Sequence, residues 1–529
     1  MTTQPVYLKQ NVLVEPMVNQ WYAWSCLIPP ATAAMYIANS HIKIMQSFVA
    51  APQVHVSALK NPAMRGGPFI NCEAGKAPEV KDLLRKTQDD QAHMLRLAEA
   101  IQKFNETLMS EANGFSLEPV YQKIPDMLKG YVELVYDLNN HPSMRLIEGL
   151  LYKSPYYNAA TQSIALSIVE QDDRPFALST PILGGNGRIF LPLPFNSESL
   201  DELFKMKNAP QTLSYIKDVL RLRDEDAELF SSFFTEEPPP PAPKYEGDSV
   251  RIRYFGHACV LFESKEVRVL TDPVISYKHG NGIFRYTYED LPETLDYVLI
   301  THNHQDHCMF ETLLQLRHKV KNIIVPKNNG GGLADPSLKF VLQNLGFKRV
   351  REVDEMETIE VDGGYITGLP FLGEHADLNI RTKMAYLISL KGKSILCAAD
   401  SNNVEPKLYQ HIHEAIGDVD AVFVGMECSG GPLSWLYGPL MTKPLARKQD
   451  QSRRLDGSDF EKALDIIERL KPGQVYVYAM GQEPWLTYLT SIQYTDESHP
   501  IIESNKLVAE CQGRGLQSER LFGSKEILF

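Results

Sequence analysis

From Pro238 to Pro243 the chain reads Pro-Pro-Pro-Pro-Ala-Pro. Proline fixes φ near −65° and lacks an amide hydrogen, so such a run can be neither helix interior nor central strand. It is an extended, semi-rigid connector. At roughly 150 residues per domain, a chain of 529 residues holds more than one domain. We therefore expect an N-terminal domain over residues 1–235, a linker over 236–245 and a C-terminal domain over 246–529.

The two stretches differ in texture. Before the prolines the pattern is mainly helical. From Asp82 to Leu108, apolar side chains recur at three- and four-residue steps through Met94, Leu97, Ile101 and Phe104, which predicts an amphipathic helix. Two more helical stretches lie between Glu198 and Arg221, and the segments Glu133–Asn140 and Phe176–Leu183 read as strands. Trp21, Tyr22 and Trp24 are expected to plug a core or an interface, since large aromatics contribute most when buried. After the prolines, short apolar strands alternate with helices. Strands are predicted at Tyr297–Ile300, Val320–Val325, Ala385–Leu390, Ser394–Ala398, Ala421–Gly425 and Val475–Tyr478, and helices at Glu311–Leu316 and Phe460–Arg469. That alternation indicates a layered α/β domain.

Composition narrows the function. With 53 Lys and Arg against 66 Asp and Glu, the net charge is −13, the wrong balance for gripping nucleic acid through its phosphates. The N-terminus lacks the basic-then-apolar pattern of a signal peptide, and there is no apolar run long enough to span a membrane. Seven cysteines without a CxxC pair fit a reduced, cytoplasmic protein better than a disulfide framework or zinc ribbon.

The chemistry concentrates after the strand ending at Ile300. Residues 302–307 are His-Asn-His-Gln-Asp-His. Three imidazoles and a carboxylate packed at a strand end are poorly explained by core packing and well explained by a metal, since imidazole suits zinc or iron and carboxylate adds a hard oxygen. Further on stand Gly373-Glu374-His375, in which either Glu374 or His375 is available as a donor, and Asp400 at the end of another strand.

The spacing of His302, His304, Asp306 and His307 resembles the signature of the metallo-β-lactamase superfamily. The segments Tyr254–Cys259 and Val269–Pro273 resemble the lipid-hydrolase and lactonase branch of that superfamily, and Asp400 falls where its bridging aspartate lies. The resemblance implies a fold class: α/β, with a C-terminal αβ/βα sandwich preceded here by a mainly helical N-terminal domain with some strand. Two departures stand out. Hydrolytic members usually place His where Glu374 or His375 stands, and a last His follows their final core strand, where this chain has Gly481-Gln482-Glu483. Mixed His/carboxylate sites with open positions suit iron and O₂ chemistry.

Chain length, domain order, Glu374 and the segment Glu427–Pro432 more closely resemble the diiron β-hydroxylases of chloramphenicol and related antibiotic biosynthesis. These enzymes hydroxylate an aminoacyl group tethered to a peptidyl carrier protein. The likeness implies two Fe ions, O₂ as cosubstrate and an external electron donor, because no flavin or nicotinamide motif is present. By the same likeness one iron takes His302, His304 and Glu374, and the other takes Asp306 and His307. Asp400 bridges them, and Glu483 is available in place of the missing His. Glu374 and Asp400 are the residues assigned to catalysis. His375, His257 and Asp272 read as supporting residues, and Trp435–Tyr437 as either ordinary packing or a wall of the substrate approach. The implied partners are an aminoacyl-loaded carrier protein or synthetase and a reductase, with neither nucleic acid nor membrane, and the N-terminal domain is a candidate surface for carrier docking or a homodimer. The competing reading is a binuclear zinc hydrolase of an ester, lactone, thioester or phosphodiester, in which a metal-bound hydroxide attacks.

Overall fold

The computed structural model describes residues 4–185, 187–280 and 282–529. The C-terminal part is built on two seven-stranded sheets. The first runs, edge to edge, Val350–Val353, Val320–Pro326, Leu295–Leu299, Arg268–Thr271, Cys259–Glu263, Arg251–Gly256 and Lys525–Leu528. The second runs Thr358–Val361, Gly364–Leu369, Ala385–Leu390, Lys393–Cys397, Ala421–Gly425, Gln474–Tyr478 and Gln517–Arg520. The sheets face each other across Tyr254, Phe262, Val269, Tyr386, Phe423 and Tyr478. Helices Lys407–Ile416, Phe460–Leu470 and His499–Gly513 cover the outer face of the second sheet. This is the αβ/βα sandwich of the metallo-β-lactamase superfamily, and its strands are apolar on both faces because both faces are covered.

The N-terminal part is mostly helical, as the periodicity predicts. The helical stretch expected over Asp82–Leu108 is two helices, Ala77–Asp90 and Ala92–Glu111, broken at Gln91, whose φ and ψ of −107° and 19° leave the helical region. The second buries Leu97, Ile101, Phe104 and Leu108 along one stripe. A strand does form at Val132–Tyr136, in a hairpin with Pro142–Leu146. Phe176–Leu183 is not a strand. Its amides bond outside any ladder, Ala177 to the Tyr488 carbonyl and Ile182 to the Gln20 carbonyl, and Pro181 has no amide hydrogen to offer. Trp21, Tyr22 and Trp24 are all buried. Among the described residues no helix is long and apolar enough to cross a membrane.

The prolines separate the two parts in sequence but not in packing. One apolar core runs from Val12, Trp21 and Phe104 through Leu261, Leu270 and Val298 on the outer face of the first sheet. Within it sits a buried ionic knot. Arg174 donates to Glu15 at 3.1 Å and to both oxygens of Glu311 at 3.1 and 3.0 Å, and its guanidinium lies 3.6 Å from the centroid of the Tyr488 ring. Tyr22 and Tyr488 both donate to Glu311, at 2.9 and 3.0 Å. Glu311 sits in the helix Phe310–Leu316, directly after the histidine-rich loop. Removing one partner of a buried ionic network leaves an uncompensated charge. Arg174→Met is therefore expected to destabilise the protein by about 3–5 kcal/mol, read as a lowered urea midpoint, whereas the exposed pair Lys103–Glu99 can be neutralised with little change.

Candidate metal centre

All the candidate donors stand on loops leaving one end of the two sheets. His257 follows strand Arg251–Gly256, residues 302–307 follow Leu295–Leu299, Glu374 follows Gly364–Leu369, and Asp400 follows Lys393–Cys397. Several of these loops hold non-glycine residues at positive φ: His257 at 53°, Asp272 at 33°, Glu374 at 64° and Ala399 at 49°. Such backbone costs about 1–3 kcal/mol per residue and persists where the surroundings dictate it. Gly425 shows how tight the packing is, since a Cβ there would lie 2.6 Å from the Ala399 carbonyl and 2.9 Å from Asp400 Oδ1.

Two groups of donors share His302. In the first, His302, His304 and Glu374 gather their ligand atoms within 4.8 Å of one another; in the second, His302, His307 and Asp400 do the same. His304 Nδ1 is 2.8 Å from Glu374 Oε1, and His302 Nε2 is 3.9 Å from both Glu374 Oε2 and Asp400 Oδ2. His307 Nε2 is 3.1 Å from Asp400 Oδ2. A third group joins His257, Asp306 and His307. Asp400 belongs to the second set and meets the first through His302, which both sets share.

Each of the three clustered imidazoles is held by its outer nitrogen. Asp272 Oδ2 accepts from His307 Nδ1 at 2.8 Å and from the Thr301 hydroxyl at 2.6 Å, and that hydroxyl lies 3.0 Å from His302 Nδ1. His304 Nε2 meets the Tyr437 hydroxyl at 2.8 Å. Such outer partners fix ring orientation and tautomer around a metal. The inward atoms are in a different condition: His302 Nε2, His307 Nε2, Glu374 Oε2 and Asp400 Oδ1 are buried without a hydrogen-bond partner. Four such atoms converging in one place would be costly, and a cation is the group that would satisfy them together. The mixed nitrogen and carboxylate set fits iron.

The electrostatics agree. Burial, reinforced by His307 and His304, drives His302 well below the usual histidine range, so its lone pair stays free. Burial also opposes charge on His304 and His307, yet Glu374 raises the first and Asp400 with Asp272 raises the second. Burial would lift Glu374, but His304 and His375 hold it down to about 2. Asp306 is likewise lowered against its burial, by His257 and His307. A bound metal would take the place of the protons that these carboxylates favour on His304 and His307.

Three placements differ from the sequence reading or sharpen it. Glu483 is fully buried, but it accepts a short hydrogen bond from Tyr254 and belongs to none of the three donor groups; the structure does not bring it to the cluster. His257 is brought there instead, with Nε2 at 3.4 Å from Asp306 Oδ2. Its Nδ1 accepts from the Gly481 amide at 3.2 Å, so in the neutral ring the proton sits on Nε2, facing Asp306. A ring so arranged holds Asp306 in place and has no lone pair to spare for a metal. The sequence signal for this role is a histidine at the hairpin turn following Gly256, the first loop of the sandwich. His375 stacks on His304, with centroids 4.6 Å apart, and its Nδ1 lies 2.8 Å from Glu374 Oε2.

A cavity of about 290 Å³ opens onto the cluster. Asp306, Glu374, Asp400 and Glu427 supply its acidic wall, and Trp435 and Met480 are among its apolar residues. Arg65, from the N-terminal part, also lines it. The N-terminal part reaches the metal loop itself, where the Ser25 hydroxyl donates to the Asn303 carbonyl at 2.5 Å.

Comparison with known proteins agrees with this arrangement. Residues 7–238 match the diiron non-heme beta-hydroxylase N-terminal domain, and residues 251–434 match the beta-lactamase superfamily domain. Over 524 residues the chain is 42% identical to the 4-amino-L-phenylalanyl-[CmlP-peptidyl-carrier-protein] 3-hydroxylase of Streptomyces venezuelae, covering 97% of this chain and 98% of that one. The chain belongs to the diiron non-haem β-hydroxylases, oxygenases built on the metallo-β-lactamase fold. Its structure is similar to the crystal structure of CmlA, a diiron β-hydroxylase from the same organism, with a TM-score of 0.93, 39% identity and 100% of each chain covered. A mutant of CmlA gives a TM-score of 0.91 at 39% identity, over 99% of this chain and 100% of that one.

The placements of Glu483 and His257 lead to opposite expectations. Glu483→Gln should leave the iron content at the wild-type level. His257→Ala should weaken binding of one of the two irons by about 10–100-fold, the usual effect of losing a partner that orients a ligand. Titration of apoprotein with ferrous iron, followed by analysis of bound metal after gel filtration, distinguishes the two.

Proposed function

We propose that this chain hydroxylates the β-carbon of an aminoacyl group held as a thioester on a peptidyl carrier protein, in nonribosomal peptide or related natural-product assembly. One observation carries the reading: a carboxylate, Glu374, completes the His302–His304 set, giving a donor set suited to iron and oxygen. In this reading His302, His304 and Glu374 would hold one iron, Asp306 and His307 the other, and Asp400 would serve both. The irons supply the activation of O₂, so that a C–H bond, O₂, two external electrons and two protons become C–OH and water.

The chain's own residues provide the rest. Asp272, Thr301 and Tyr437 lock the three imidazoles from behind, which keeps the donor atoms in register during turnover. Trp435 and Met480 line the cavity, so a side chain entering it displaces water from the reacting carbon. A thioester arm suits this narrow site, because contacts made by the carrier outside the cavity help position the small reacting group. The domains are proposed as drawn from the sequence: residues 1–235 form a domain for carrier docking or dimerisation, 236–245 the linker, and 246–529 the diiron domain. Electrons come from a separate reductase or electron carrier. All seven cysteines are free, which suits work in the reducing cytoplasm.

The test is a comparison at matched concentration of a free amino acid, a short pantetheine thioester of it and the carrier-bound thioester, each given to the reduced diiron enzyme before O₂. Only the carrier-bound form is expected to gain one oxygen atom efficiently, read by intact mass, with kcat/KM at least 100-fold above the free amino acid, about 3 kcal/mol of positioning energy. Equal turnover of the free amino acid would reject the tether. Thioester cleavage without oxygen insertion would make the protein a hydrolase.

A further inference from the structure

Glu427 lines the cavity beside Asp400 but belongs to none of the donor groups. It stands two residues beyond strand Ala421–Gly425, which pairs with the strand leading to Asp400. Its carboxylate accepts from the Gly430 amide at 2.6 Å, the Ser429 amide at 3.3 Å and the Tyr494 hydroxyl at 3.0 Å. All three donors are neutral. Among the described residues no Lys, Arg or His forms an ion pair with it. An ionised carboxylate offers about four acceptor positions, so three donors leave one unused. Glu427 is thus a largely buried carboxylate, fixed by three neutral groups, facing a cavity and lacking a counter-cation. A buried charge without a partner is costly, and a cationic ligand would remove that cost.

We infer that Glu427 binds the α-ammonium group of the aminoacyl thioester and so positions the carbon that is hydroxylated. This rests on the carrier-bound substrate proposed above. The chemistry of such a substrate fits the place. With the carboxyl group consumed in the thioester, the ammonium is the one charge common to every aminoacyl group. It is one atom removed from the β-carbon, a separation of about 2.5 Å from standard bond lengths. A cation fixed at Glu427 sets the β-carbon at a short, constant distance from it whatever the side chain. Asp400 Oδ1 approaches the Cβ direction of Gly425, two residues before Glu427, at 2.9 Å, so the anchor and the proposed bridging carboxylate belong to neighbouring loops. Glu427 is on this account a positioning residue, and the side chain of the amino acid is left to the apolar wall.

The experiment uses full-length diiron enzyme and a carrier protein loaded either with phenylalanyl thioester or with 3-phenylpropanoyl thioester, which differs only by lacking the amine. Affinity is measured for each under anaerobic conditions, and kcat/KM with O₂ present. The wild type is expected to prefer the phenylalanyl carrier by about 10–100-fold, the range for a charged hydrogen bond. Glu427→Gln is expected to bring the two carriers within about 3-fold by weakening the phenylalanyl carrier alone, while the 3-phenylpropanoyl carrier is unaffected. Should that variant fail to fold, Glu427→Asp keeps the charge, withdraws it by one methylene and is expected to narrow the gap. Equal affinity of the wild type for both carriers overturns the assignment without any variant, as does a preference that survives Glu427→Gln intact. Failure of the wild type to bind or oxygenate either carrier would instead remove the carrier-bound reading on which the assignment depends.

Discussion

The structure is organised around a set of buried donor atoms that the protein alone leaves unsatisfied. Three imidazoles and the carboxylates of Asp306, Glu374 and Asp400 are held together inside the protein, with several inward atoms that no hydrogen bond satisfies. Polar atoms do not collect unpaired in a low-dielectric interior unless something binds them. The cost is met from behind. Asp272 braces His307 and, through Thr301, His302; Tyr437 braces His304; His257 braces Asp306. Asp272, His257 and Tyr437 come from two loops and a helix distant in sequence, so the cluster depends on the register of the whole sandwich. The left-handed backbone at His257, Asp272 and Glu374 marks where loop geometry yields to the needs of the site.

The N-terminal part takes a share of that load. Ser25 holds the backbone of the histidine-rich loop, Arg174 and Tyr22 hold the helix that follows it, and the Tyr36 hydroxyl donates to the Leu436 carbonyl in the cavity wall at 2.5 Å. Trp435 in turn donates its indole hydrogen to the Gly66 carbonyl at 2.9 Å. The cavity in which a substrate would lie is therefore composed of residues from both sides of the proline run. That is a sufficient physical reason for a large additional domain on a fold whose metal chemistry needs none.

Much of this was legible in the sequence, and the limits are instructive. The strands of the sandwich announce themselves as short apolar runs, and the motif at residues 302–307 places four chemically active side chains in one loop. Asp400 could be located because it stands at the end of such a strand, whereas the residues alone left Glu374 level with His375 and only the family resemblance chose between them. Glu483 was a reasonable candidate on position alone, yet direction decides, and its side chain turns toward Tyr254. His257 reads as a structural residue from sequence because nothing in one dimension reveals that the first loop of the sandwich folds over Asp306. Phe176–Leu183 has the composition of a strand, but its amides bond to the Tyr488 and Gln20 carbonyls and Pro181 has none to offer. The break at Gln91 is invisible to hydrophobic periodicity, since the apolar stripe continues across it.

The shared core has a consequence for how such enzymes change over time. A semi-rigid proline connector between two halves looks like a joint at which modules could be exchanged. The core that runs from Val12 and Trp21 to Leu270 and Val298 argues otherwise. A recombinant made at the prolines would face a mismatched apolar surface and the stranded carboxylate of Glu311. New specificity in this lineage is more readily reached by point changes in the cavity lining than by shuffling, and the two halves should share a single genealogy.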